Sequence, residues 1–171
     1  DGSSRFGPGR KFGNFGAVGA AWIFSKADFA EQGLSFLSFG KLRGSYGTTG
    51  NDQISDYGYY DTYQPTTGTN GLYPTKLANP NFSWEVNKKL ELAGEFGFFK
   101  DRLMISASWY RNRSSNQLVG YSLPALTGFN SIQANLPATV ENRGWEFQLM
   151  SSNVQGTDFN WTTNFTMTLP K

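Results

Sequence analysis

The residues of this sequence that could do chemistry are few and fall into three groups. Five tyrosines, Tyr57, Tyr59, Tyr60, Tyr63 and Tyr73, stand in one stretch rich in Gly, Pro, Asn, Asp and Thr. Aromatic faces carrying a hydroxyl suit stacking on sugar rings or contact with a partner protein, and they suit equally a loop that packs on itself. Glu91 and Glu95 share one face of an alternating segment, with Ala93 between them. Glycoside hydrolysis uses paired carboxylates, but sets them on opposite sides of the scissile bond. Neighbours along one strand read instead as polar, lumen-type wall residues, together with Tyr110. The third group, Asp52, Asp56 and Asp61, lacks the D-x-D-x-D-G spacing of a calcium loop and reads as solvated acids. The chain holds no cysteine and no histidine. That removes disulfides, thiolate nucleophiles, zinc-type centres and Ser-His catalysis, so neither an enzyme nor a metal or cofactor site is expected.

The elements that must position these residues are strands. Aromatic residues make up 16% of the chain, as large a share as the charged ones, and 20 glycines accompany them without any long Leu-rich helical pattern. This composition favours an all-β fold. The net charge of +2 is too small to create a field for nucleic acid, and no basic run occurs. The longest apolar run, Ala17 to Phe24, falls far short of the about 20 residues a spanning helix needs. The opening DGSSRF is no signal peptide, and the glycines of DGSSRFGPGRKFG do not have the spacing of a phosphate cradle. Any membrane crossing must be made by strands.

Leu90 to Arg113 is the segment whose two halves agree best. If Lys100-Asp101 forms a two-residue turn, Phe98 faces Leu103, Phe96 faces Ile105, Gly94 faces Ala107 and Leu92 faces Trp109. The opposite face then gathers Gly97 with Met104, Glu95 with Ser106, Ala93 with Ser108 and Glu91 with Tyr110. A slip of one residue would mix the two faces, so the side chains specify the register.

Around this hairpin the chain reads as about six strands. Asn14 to Phe24 is a strand whose two faces are alike, and Ser25-Lys26-Ala27-Asp28 looks like a capping box for a helical turn over Phe29 to Gln32 that Gly33 stops. Phe36 to Gly47 is a second strand, Thr48 to Asn81 a long loop, and Trp84 opens the next strand. Ser114 to Pro137 reads as another long connection before a strand near Val140. In the last pair of strands the apolar faces coincide if Leu149 lies opposite Phe159 and Phe147 opposite Trp161, with a loop over Asn153 to Gln155. Short and long links thus alternate, beginning with the short link Ser25 to Ser35. Transmembrane barrels alternate in this way, with tight periplasmic turns and long extracellular loops. The stripe from Leu90 to Phe98 has the roughly 9 to 11 residues of a tilted spanning strand, with Phe96 and Phe98 at one end and Trp109 at the other as girdle aromatics.

Four stretches carry a resemblance. They are the opening DGSSRFG, KLRGSYGTTGN at Lys41 to Asn51, NPNFSWEVNKKLELAGEFGFFKDRLMISASWYRNRSSNQL, and LPALTGFNSIQANLPATVENRGWEFQL at Leu123 to Leu149. Together they resemble the SusC/RagA family of TonB-dependent outer-membrane transporters along nearly the whole chain and in family order. The resemblance implies a Gram-negative, Bacteroidota-type outer-membrane barrel that imports glycans or peptides. It implies as partners the outer-membrane lipid, a SusD-like lipoprotein as lid, and the TonB complex, reached through an N-terminal part that this chain does not include. Plugged barrels have roughly 22 strands. Residues 1–171 are therefore expected to be part of one barrel domain, an antiparallel segment of a larger wall. Two other readings of the same strands are a soluble β-sandwich that binds glycans, and a barrel with a scaffold role in a surface or secretion assembly.

Overall fold

The computed structural model describes residues 1–34, 36–68 and 70–171. Ser35, at the end of the expected short link, and Thr69, in the tyrosine-rich loop, lie outside the described residues. The elements are β1 (Ala17–Trp22), α1 (Asp28–Gly33), β2 (Leu37–Asn51), β3 (Thr62–Pro65), β4 (Leu72–Lys76), β5 (Glu85–Phe98), β6 (Leu103–Ser122), β7 (Ser131–Gln155) and β8 (Asn160–Pro170), with 3-10 turns at Phe24–Lys26 and Ala125–Thr127. Six strands form one sheet in the order β1-β2-β5-β6-β7-β8, and β3 pairs with β4 separately. The expected number of main strands is present. The β3–β4 hairpin inside the long loop is an addition that the sequence reading did not include.

The chain divides into two compact units, one of residues 1–16, 48–88 and 113–140, the other of residues 17–47, 89–112 and 141–171. Strands β2, β5, β6 and β7 contribute to both. In the second unit the strand portions 37–47, 89–98 and 103–112 are ten or eleven residues long. That is the length of a tilted strand that crosses a bilayer, about 9 to 11 residues.

The chain reverses at Lys100-Asp101 as expected, and the Arg102 N–H donates to the Phe99 carbonyl at 3.4 Å. The left-handed stretch is longer than a two-residue primed turn, which needs positive φ only at its two central residues: φ is +56° at Phe99, +56° at Lys100 and +63° at Asp101, and residues 99–102 lie outside β5 and β6. Ser38 stabilises this conformation: its hydroxyl donates to Asp101 Oδ1 at 2.7 Å and accepts from the Asp101 N–H at 2.9 Å. Gly97 lies against Met104, its expected partner, since a Cβ there would meet Met104 Sδ at 2.9 Å.

The two faces of β1 and β2, which the sequence left open, are separated by their register. Val18, Ala20 and Trp22 pair with Tyr46, Gly44 and Leu42, while Ala17, Gly19 and Ala21 pair with Gly47, Ser45 and Arg43. The first set is the apolar face, continued by Leu92, whose Cδ2 lies 3.1 Å from where a Cβ on Gly44 would stand.

Three expectations are corrected. The last pair of strands has Leu149 opposite Phe165 and Phe147 opposite Met167, not Phe159 and Trp161. The apolar faces still coincide, but β7 runs on through the polar residues Ser151 to Gln155, so the loop moves to residues 156–159. A bulge between Ser152 and Val154 restores Val154 to the apolar side, opposite Trp161. Second, most of Ser114 to Pro137 is not a loop: β6 continues to Ser122 and β7 starts at Ser131, leaving only residues 123–130 between them. Their turn closes at Gly128 with φ +75°, a conformation that costs a glycine nothing. Third, the helix cap is Ala27 without a side-chain bond, because Ser25 is taken up inside the preceding 3-10 turn.

The first unit has its own small core of Phe6, Ile54 and Phe82, against which Tyr59, Trp84 and Leu118 pack. Phe6 comes from the glycine-rich opening stretch. Its neighbours are fixed by asparagines: Asn116 Nδ2 donates to Ser83 Oγ and the Trp84 carbonyl, and Asn135 Nδ2 donates to the Ser83 and Asn116 carbonyls, all within 2.7 to 2.9 Å. These bonds satisfy backbone carbonyls where ladder pairing is irregular.

Candidate functional site

The polar face of the second unit is built around Arg43. Strand alternation puts Lys41 and Arg43 of β2 on the same face as Glu91 and Glu95 of β5. Arg43 reaches both carboxylates, with Nη2 3.0 Å from Glu91 Oε1 and Nε 3.4 Å from Glu95 Oε1, and Lys41 Nζ lies 3.5 Å from Glu95 Oε1. Ala93, buried between the two glutamates, leaves room for the guanidinium. Arg43 and Glu95 also line an open groove of about 330 Å³ with Ser106, Ser108 and Gln148. Tyr110 extends the face: a Cβ on Gly144 would come within 2.8 Å of its hydroxyl oxygen, so the ring needs a glycine on β7.

This arrangement does not resemble a glycosidase couple. Glu91 and Glu95 project from the same face of one strand and converge on one guanidinium, whereas a working couple stands on opposite sides of the scissile bond. Each glutamate is, moreover, held by a cation. Partly exposed pairs of this kind are worth about 0.2 to 1 kcal/mol each, and more as a network. The cations were missed in the sequence because their partners lie across a connection of more than thirty residues, from Asn51 to Glu85.

The opposite face is apolar and uncovered in this chain. Trp22, Leu92 and Phe165 are 54%, 53% and 54% exposed, and Val18, Leu42, Trp145, Met167 and Leu169 are exposed as well. Such a continuous patch is foreign to the surface of a soluble monomer.

The five tyrosines of the first unit take different positions. Tyr59 packs against the Phe6 core, and its ring lies tilted by 36° against that of Tyr60 with centroids 4.1 Å apart. Tyr57, Tyr60, Tyr63 and Tyr73 are exposed. On the β3–β4 hairpin the Tyr73 hydroxyl donates to Gln64 Oε1 at 3.0 Å and the Tyr63 hydroxyl to Asp61 Oδ2 at 2.8 Å. The three loop acids part company, since Asp52 and Asp56 both turn to Arg5 and Asp61 turns to Tyr63.

The Asp61 bond raises the Tyr63 phenol above the ordinary tyrosine range, with the negative charge of Asp61 adding to it; the Tyr59 phenol is raised chiefly by its bond with Tyr60. A raised phenol favours the fold while it keeps its proton. The Tyr63–Asp61 bond is therefore intact at neutral pH and up to the normal tyrosine range, and is lost as pH climbs through the raised value. In an ultraviolet titration of the phenolates, Asp61→Asn is expected to bring one transition back to lower pH. An unchanged titration would show that the bond does not hold in solution.

The whole chain has relatives. Residues 1–169 match the family model described as TonB dependent receptor-like, beta-barrel. TonB-dependent receptor P39 of Formosa agariphila is 37% identical over 168 residues, covering 96% of this chain and 16% of the relative. TonB-dependent receptor SusC of Bacteroides thetaiotaomicron is 27% identical over 184 residues, covering 98% of this chain and 18% of its own length. Among solved structures, the RagAB peptide importer in its closed-closed state superposes with a TM-score of 0.83 at 28% identity, over 99% of this chain and 19% of that one. The chain thus spans less than a fifth of the length of these relatives.

Proposed function

The chain belongs to the TonB dependent receptor-like β-barrel family, and on that premise we propose that it is a piece of the wall of an outer-membrane transporter of the SusC/RagA type. The observation that carries this reading is the division of one sheet into two faces. Val18, Trp22, Leu42, Leu92, Trp145 and Leu169 lie bare on one side, and Lys41, Arg43, Glu91 and Glu95 are paired on the other. Only hydrocarbon suits the first face and only water the second. A β-sandwich would divide these strands between two facing sheets, whereas all six belong to one.

In this reading the polar face, with Glu91, Glu95 and Tyr110, lines the conduit, and the tyrosine-rich segment is one of the long extracellular loops. Tyr57, Tyr60, Tyr63 and Tyr73 are then available to the cargo or to a SusD-like lid lipoprotein. RagAB, described as a peptide importer, supports the peptide cargo, and the likeness to the TonB-dependent receptor SusC supports a receptor of that type. The cargo is an oligosaccharide or a peptide, and energy comes from the TonB complex through a part of the longer protein not contained in residues 1–171. The role is passage and not catalysis. Deleting the gene from its host should abolish uptake of one cargo class, with labelled oligosaccharides and labelled peptides measured side by side, and restoring the full-length protein should recover it. Uptake of both classes at the normal rate in the deletion strain would refute the transport role.

A further inference from the structure

At the far end of the apolar face from the Lys100-Asp101 turn, the side chains change from aromatic to cationic. Trp145 pairs with Leu169 on β7 and β8. One step on, Arg143 and Lys171 exchange both backbone bonds, at 3.4 and 2.7 Å, which places them directly opposite each other with the same parity as Trp145 and Leu169. Like charges directly opposite on one face are destabilising. On β6, Arg111 has the parity of Trp109 and holds Glu141 through Nε and Nη2 at 3.0 and 2.8 Å, while Arg143 Nη1 stays 3.9 Å from the same carboxyl group. Arg111 and Arg143, on neighbouring strands, thus share Glu141. Beside them Trp109, Trp145 and Leu169 line an open groove of about 530 Å³ whose rim is Arg143 and Lys171.

We propose that this groove binds a membrane lipid whose phosphate headgroup carries a net negative charge, with the phosphate between Arg143 and Lys171 and an acyl chain along Trp145 and Leu169. The inference rests on the membrane reading above, because only there does this face meet lipid. An anion resolves the repulsion of the facing cations, and a guanidinium offers phosphate a planar fork of donors. The apolar floor distinguishes a lipid from a free ion. Cations at the membrane surface attract anionic headgroups.

The test uses the full-length protein in nanodiscs of phosphatidylcholine with a minor fraction of phosphatidylglycerol of the same acyl chains. Lipids retained on the protein are counted by native mass spectrometry. Wild type should retain phosphatidylglycerol over phosphatidylcholine by a factor on the order of ten. Arg143→Gln with Lys171→Gln should bring that preference close to one, and Lys26→Gln, an exposed cation elsewhere, should leave it intact. Equal retention of both lipids by wild type, or an unchanged preference in the double variant, would overturn the site. Displacement of the lipid by inorganic phosphate would also overturn it, by showing a simple ion site. A protein that stays soluble without detergent or lipid would instead refute the membrane reading itself.

Discussion

Leu92→Arg is expected to destabilise the full-length protein by about 2 to 4 kcal/mol in a bilayer, the penalty for arginine on the lipid face near the midplane. Leu92 falls close to the middle of the strand portion 89–98, is 53% exposed and faces the side shared by Val18, Trp22 and Trp145. Gly44 and Gly94 beside it offer no polar partner, so the guanidinium would have to snorkel past several residues of strand. Ser106→Arg makes the comparison, because Ser106 lines the polar groove with Glu95 and Arg43. It should stay within about 0.5 kcal/mol of wild type, the usual effect of a surface change. Thermal denaturation in nanodiscs separates the two. Equal losses for both variants would mean that the two faces meet the same solvent.

Phe82→Ala is expected to cost about 3 to 5 kcal/mol, as large-to-small truncations of buried aromatics do. Phe82 is 2% exposed and Phe6 fully buried, and with Ile54 they make up the core of the first unit. A core of three residues cannot spread the loss, and the Phe6–Trp84 contact, with centroids 5.2 Å apart, would be undermined. The damage should remain local. Hydrogen exchange over residues 48–88 should accelerate by orders of magnitude while residues 103–112 keep their protection. Leu72→Ala, at an exposed site on β4, should change neither. Faster exchange in both segments, or in neither, would contradict the independence of this core.

The sequence was most legible where strands are joined by short turns. The pairing of β5 with β6 follows from alternation alone, because one register brings Leu92, Gly94, Phe96 and Phe98 onto a common face and the Lys100-Asp101 turn can close it. Alternation also required the faces of β7 and β8 to coincide, and they do. It could not choose among offsets that differ by an even step, and Asn153 to Gln155 looks like a loop although a ladder needs only backbone groups. Prolines misled in the same way: Pro137 lies within β7, at a position where the ladder tolerates a missing N–H. Strand extensions beyond the apolar stripe carry no period-two signal, so Ser114 to Ser122 reads as connection in the sequence although it belongs to β6.

The charged network was legible only in half. Glu91 and Glu95 stood out as polar wall residues, yet their partner Arg43 depends on the register of β2 against β5, which a connection of more than thirty residues leaves undetermined in the sequence. The tyrosines were visible as a group, but not that Tyr59 would turn inward while Tyr63 and Tyr73 stay on an exposed hairpin. That division depends on Phe6, more than forty residues earlier in the chain. The basic rim at Arg143 and Lys171 likewise becomes visible only once the two are seen to exchange backbone bonds.

A spin-label scan distinguishes a sheet with one face in hydrocarbon and the other in water from a sheet wetted on both. This segment contains no native cysteine, so labels introduced singly at positions 90 to 96 report from known sites, provided cysteines elsewhere in the longer protein are first replaced. In lipid bilayers, labels at positions 90, 92, 94 and 96 should be relaxed by oxygen, which concentrates in hydrocarbon. Labels at 91, 93 and 95 should respond instead to a water-soluble nickel complex. Strict alternation with a period of two residues is the predicted result. Equal access to the nickel complex at all seven positions, or protection from both relaxants along the whole stripe, would contradict the account.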